Sequence, residues 1–200
     1  LCISQIDYDD YLKAVELNNS ALKEIKLNNH QKAISLLTDA IKIDSTLRNA
    51  YITLNQACID EGSLMILKEY LTKAANLFTD DDEIFYYIGN LYRKENQIDS
   101  AIVYYTKAIK FSKINGEDYP LVYAYYLNRG ICFLDKELHI QALQDFNYGI
   151  KLNPKNAALY TNKGNLLYQL GNKNQACTQW QKAINLGCSD ATSYYNQYCK

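Results

Sequence analysis

The sequence predicts an all-α fold, a solenoid of helix–turn–helix repeats, and three observations carry that expectation. The chain repeats itself: YYLNRGICFLDKELHIQALQDFNYGIKLNPKNA (125–157) and LYTNKGNLLYQLGNKNQACTQWQKAINLGCSDA (159–191) align at an offset of 34 residues. Gly130 falls on Gly164, Ala142 on Ala176, Phe146 on Trp180 and Gly149 on Ala183. Within each copy the apolar residues follow a helical period in two bursts, as two amphipathic helices require. Between the bursts stand Asn28, Gly62, Asn96, Glu137 and Gly171 in successive copies. All but Glu137 are Gly or Asn, which best tolerate the turn after a helix. A period of this length marks stacked units that bury their apolar faces only against one another.

Taken in order, residues 1–13 (LCISQIDYDDYLK) fit no copy and form a lead-in, with Asp9 or Asp10 as the N-cap of the first helix. Five units follow at 14–47, 48–81, 82–122, 123–156 and 157–190, and 191–200 form a C-terminal capping helix. The first unit keeps phase through Ala21, Ala33, Leu37 and Ala40. In the second, Asn55 and Leu67 stand where other units have small residues, so that hairpin is expected to be splayed or repacked. The third carries Gly89, Ala101, Tyr105 and Ala108, and seven extra residues around GEDYPLV (116–122) separate it from the fourth. Gly inside a helix costs roughly 1 kcal/mol relative to Ala. Its recurrence at Gly89, Gly130 and Gly164 therefore marks where the two helices of a hairpin touch.

Composition narrows the function. The chain has 21 Lys and Arg against 22 Asp and Glu, a net charge of −1, and no basic run, which argues against nucleic acid as a partner. No apolar stretch approaches the ~20 residues of a membrane span. The first residue is Leu rather than Met, as expected of a processed or trimmed product. His30 and His139 occupy the same place in units far apart, and no metal-ligand spacing or phosphate loop accompanies them. The expectation is no enzyme and no cofactor. The acidic run DDDE (80–83) falls where a helix begins, where carboxylates complement the macrodipole. Tyr51, Tyr105, Tyr126 and Tyr160, among nineteen tyrosines, fall on core positions, and so do Cys58 and Cys132 among six cysteines.

The pattern resembles the tetratricopeptide repeat. Tyr160, Gly164, Leu167, Ala176, Trp180 and Ala183 match its places in the last unit; Tyr126, Gly130, Phe133, Ala142, Phe146 and Pro154 match in the one before. The resemblance implies a right-handed superhelical solenoid whose first helices line a concave surface that binds a peptide or protein. The residues then expected on that surface are Asn19, Tyr86, Asn90, Arg93, Leu127, Asn128, Ile131, Leu134, Asn162, Asn165, Tyr168, Tyr195 and Asn196. Asn19, Asn128, Asn162 and Asn196 share one place, so an amide ladder could grip a peptide backbone without reading its sequence. Members that clamp a C-terminal carboxylate place cations where this chain has Tyr86, Ala158 and Asn162, so that specificity is not expected here.

The closing run ACTQWQKAINLG, followed by a short helix ending in Cys, also resembles bacterial cell-envelope tetratricopeptide proteins. Cys177 and Cys199 lie eleven residues either side of Cys188, level in an antiparallel hairpin and therefore candidates for a disulfide. The alternative is a reduced pair in an apolar interface. An oxidised pair would place the chain in the periplasm or envelope rather than the cytoplasm. The functional expectation is a non-catalytic protein-interaction scaffold. The alternatives are a self-associating module, a homo-oligomer joined through Leu127, Ile131 and Leu134, or the docking or sensory portion of a larger protein.

Overall fold

The computed structural model describes residues 7–200. All regular structure among them is helical: α1 (Tyr8–Lys26), α2 (His30–Ile43), α3 (Arg48–Glu61), α4 (Leu64–Leu77), α5 (Asp82–Lys94), α6 (Ile98–Asn115), α7 (Val122–Asp135), α8 (His139–Leu152), α9 (Ala157–Gln169), α10 (Lys173–Asn185) and α11 (Ser189–Tyr198). None of these helices is long and apolar enough to cross a membrane. The chain divides within α5 into two compact units, one ending at Leu91 and one running Tyr92–Lys200.

The interhelical turns follow from the residues singled out above. Asn28, Gly62, Asn96, Glu137 and Gly171 all take positive φ, between 58° and 79°. At Glu137 the turn is a Schellman motif: Leu138 N–H donates to Phe133 C=O at 2.8 Å and Glu137 N–H to Leu134 C=O at 2.9 Å. A glutamate in that conformation sets its Cβ against the backbone, a strain that glycine lacks. Glu137 is also exposed. Glu137→Gly is therefore expected to stabilise the second unit by roughly 1 kcal/mol, seen as a higher urea midpoint.

In the first unit, α1 pairs with α2 and α3 with α4. Helix α1 begins earlier than the lead-in reading placed it. Asp7 is the N-cap, accepting the Asp9 N–H at 3.4 Å, so Asp9 and Asp10 sit in the first turn, where they favour the macrodipole rather than cap it. Residues 1–6 of the lead-in lie outside the described residues. The α3–α4 contact is the sparsest among the α1–α2, α3–α4, α7–α8 and α9–α10 hairpins, as the larger Asn55 and Leu67 require; Leu67 is nonetheless fully buried. The acidic run has a firmer role than solvation. Asp81 caps α5, accepting the Glu83 and Ile84 N–H groups at 3.1 Å, while Asp81 and Glu83 together hold the Arg48 guanidinium of α3. The Tyr87 hydroxyl closes the cluster on Glu83 at 2.6 Å.

In the second unit, α7–α8 and α9–α10 are tight hairpins. A Cβ on Gly130 would lie 2.7 Å from the Phe146 ring, and one on Gly164 would lie 2.6 Å from the Trp180 indole. Both aromatics are fully buried, and so are Ala142, Ala176 and Ala183 beside them. The insertion lengthens both α6, which has 18 residues against 14 in α2, α4 and α8, and the link that follows it. That link is tied down by a carboxylate: Glu117 accepts the Tyr126 hydroxyl at 2.8 Å and the Tyr148 hydroxyl at 2.6 Å. Burial, reinforced by that carboxylate, pushes the Tyr126 phenol well above its ordinary range. The α7–α8 hairpin carries a further tie, with Arg129 bidentate on Asp145 at 2.8 and 2.7 Å.

Candidate functional site

Of the residues expected to meet a partner, Asn19, Tyr86 and Asn90 belong to the first unit and the others to the second. Asn19 is exposed on α1, and Tyr86 and Asn90 are half-buried on α5, each with a partner inside the fold. Arg93 is exposed in the last turn of α5.

Helix α7 carries Leu127, Asn128, Ile131 and Leu134, all half-buried. Leu127, Ile131 and Leu134 recur at intervals of four and three residues, which aligns them on one helical face, with Asn128 one residue round from Leu127. The three aliphatics pack against a core cluster of Ala142, Phe146, Leu159 and Leu166. They are thus the outer edge of a core that α9 partly covers, and not a free-standing apolar patch. Asn128 has a partner in the fold.

Helix α9 presents Asn162, Asn165 and Tyr168, which the structure puts to three different uses. The Asn162 amide donates to the Ala158 carbonyl one turn back at 2.8 Å, a local bond at a half-exposed side chain. Asn165 is turned to the hairpin interior, where its carbonyl oxygen accepts the Trp180 indole N–H at 2.9 Å. A buried indole N–H needs such an acceptor. Tyr168 joins an aromatic cluster, its ring 5.7 Å from Trp180 and 4.3 Å from Tyr198. Among the groove candidates, Asn165 and Tyr168 therefore serve packing.

On α11, Asn196 is exposed, whereas Tyr195 faces α10 and lines a recess with Cys177, Thr178, Gln181 and Lys182. Cys177 and Cys199 stand at disulfide distance, Cα atoms 5.7 Å apart. Cys58 and Cys132 are fully enclosed, and burial pushes each thiol up to about 11, which leaves both unreactive. On α9, Lys163 is half-buried; desolvation lowers its pKa, and repulsion from Lys182 adds to that. Sequence reasoning missed a recess of about 410 Å³ between α2 and α4, floored by Ile41, Tyr51 and Tyr70 and edged by Lys42, Lys73 and Leu77. None of the expected residues lines it, because apart from Tyr51 of α3 and Ser45 of the α2–α3 link its lining comes from second helices.

These features define an all-helical repeat protein whose first helices carry amide and apolar side chains at matched places. The model of the tetratricopeptide repeat family matches residues 82–115 and 157–186, and the chain carries tetratricopeptide repeats. Such repeats are protein–protein interaction scaffolds. Human tetratricopeptide repeat protein 6 is 24% identical over 181 residues, covering 88% of this chain and 33% of that protein. The UDP-N-acetylglucosamine–peptide N-acetylglucosaminyltransferase of Giardia intestinalis is 28% identical over 123 residues, 62% of this chain and 8% of the enzyme. The chain thus spans a third or less of the length of these relatives. In fold it is similar to YrrB, a tetratricopeptide protein with an unusual peptide-binding site, at 19% identity, 92% coverage of each chain and a TM-score of 0.69. It is also similar to PilF of Pseudomonas aeruginosa, at 17% identity, 90% coverage of this chain, 79% of that one, and a TM-score of 0.79.

Proposed function

We propose that the chain is a non-catalytic interaction module whose second unit holds an extended peptide along α7 and α9. Asn128 and Asn162 grip the peptide backbone, and Leu127, Ile131 and Leu134 receive an apolar side chain. The Asn162 bond carries this reading: its donor group is spent on a carbonyl of its own helix. A peptide carbonyl can replace that partner without disturbing any contact between helices. An amide has two donors and an acceptor, so the exchange satisfies the peptide in both directions. The aliphatic row beside it is half-exposed and already anchored on the core, so it accepts a side chain at little ordering cost.

The self-associating alternative rested on the same aliphatic row and is less well supported, since α9 already covers part of it. The share of the relatives that the chain spans favours a docking portion of a longer protein. The Cys177–Cys199 pair favours an extracytoplasmic, envelope location, where disulfides persist.

Peptides selected on the immobilised chain from a random display library test the reading. Asn128→Ala/Asn162→Ala is expected to weaken the selected peptides roughly 10-fold or more, the loss of two backbone hydrogen bonds. Equal affinity for wild type and variant, or selection of peptides that bind elsewhere, removes the proposal.

A further inference from the structure

We infer that α11 is a redox-latched lid: the Cys177–Cys199 bond holds it over the Tyr168–Trp180 platform, and a thiol reductant releases it.

The helix is poorly equipped to stay in place unaided. It has ten residues, fewer than an isolated helix needs to be stable in water. Only Ala191 is completely buried, and among the described residues α11 makes no ion pair. What it offers is aromatic. Tyr194 stacks on Trp180 at 5.5 Å, and Tyr198 lies 4.3 Å from Tyr168 and 6.0 Å from Trp180. Tyr194 remains 37% exposed, so even that contact is only partly shielded from water.

Two points pin the helix. Its start follows Cys188, whose sulfur accepts the Thr161 hydroxyl at 3.4 Å. Its end is Cys199, with the Cα of Cys177 5.7 Å away. The bond joins residues at a sequence separation of 22, and the loop it closes contains the whole of α11. Without it, the helix pivots on the Gly187 turn, where φ is +89°.

The bond is also open to attack. Cys177 lines a recess of about 360 Å³ with Thr178, Gln181, Lys182 and Tyr195. The ammonium of Lys182 on that recess favours an approaching thiolate. A dithiol attacks one sulfur to give a mixed disulfide, and its second thiolate displaces the protein sulfur. The two electrons pass to Cys177 and Cys199, which end as thiols, and the reductant ends as its own disulfide. Opening then uncovers Tyr168 and Trp180, an aromatic surface on α9 and α10. The latch does not depend on peptide binding along α7.

Hydrogen exchange on the intact chain, with and without dithiothreitol, tests the latch. Under denaturing conditions the thiol count should rise from four to all six cysteines on reduction. Removing a cross-link across a loop of this size should raise the open population roughly 100-fold. Exchange across 189–198 should accelerate by that order while α7 and α8 keep their protection. Trp180, the chain's sole tryptophan, should shift its emission to the red. Cys177→Ser/Cys199→Ser should show the reduced pattern with no reductant; if it misfolds by circular dichroism, reduction of the wild type decides. Unchanged exchange across 189–198 after full reduction overturns the latch, as do six reactive thiols before any reductant is added.

Discussion

Trp180→Ala is expected to destabilise the second unit by about 3–5 kcal/mol, the usual loss for a buried aromatic cut to alanine. Trp180 is 1% exposed and is the largest of the fully buried side chains. Its ring lies against Tyr168, Tyr194 and Tyr198, so its removal opens a cavity under both α9 and α11. It also orphans the Asn165 carbonyl, which accepts the indole N–H at 2.9 Å. Gly164 supplies the control. A Cβ there would meet the indole at 2.6 Å, so Gly164→Ala alone should cost about 1–3 kcal/mol by overpacking. The helix gain of roughly 1 kcal/mol offsets part of that. Once Trp180 is alanine the obstruction is gone and only the helix gain remains. Gly164→Ala should then change sign and stabilise. Urea unfolding followed by circular dichroism reads all four members of the cycle. If Gly164→Ala costs the same in both backgrounds, the indole is not the reason for the glycine.

That cycle also shows which parts of the structure the sequence discloses. The hairpin contact was legible because it imposes two rare residue choices at once, a helix-interior glycine and a large aromatic sixteen residues on. The repeat then placed the turns at Asn28, Gly62, Asn96 and Gly171, and also at Glu137, where the residue type alone argues against positive φ. The helix faces were less legible. Asn165 and Tyr168 sit near the boundary between the outward face of α9 and the hairpin interior, a step of one residue turning a helix face by about 100°. Periodicity cannot decide such positions, and the need of the Trp180 indole for an acceptor does. Tyr195 is a similar case, turned to α10 by the disulfide at the end of its helix. The Arg129–Asp145 pair left no signal, because the matching places in the last unit hold Lys163 and Gln179, so the repeat does not mark it.

Arg129→Met should destabilise the second unit by about 3 kcal/mol at neutral pH, and the loss should shrink in acid. Asp145 is 4% exposed, and its carboxylate takes two bonds from the guanidinium. Burial already holds its carboxyl above the usual value of 3.8, while Arg129, and more weakly Lys113, pull the other way. Removing the guanidinium takes away the larger of those two pulls and leaves a buried negative charge with no bonded counter-ion. Methionine keeps the length of the aliphatic stem but removes the guanidinium that lies over the Tyr126 and Phe133 rings, 5.9 and 5.5 Å from their centroids, so the double variant below separates the Asp145 charge from those ring contacts. The sign follows from the folded carboxyl titrating above the unfolded one. Stability from this group is fully present below the unfolded value and is lost as pH rises through the folded one. The variant raises the folded value further, so its deficit grows from acid to neutral pH. Arg129→Met/Asp145→Asn removes both charges and should recover most of the loss, with no such pH dependence. A deficit that is constant with pH, or a double variant as unstable as Arg129→Met alone, would show that Arg129 acts through its contact with Thr106 or through shape, and not by neutralising Asp145.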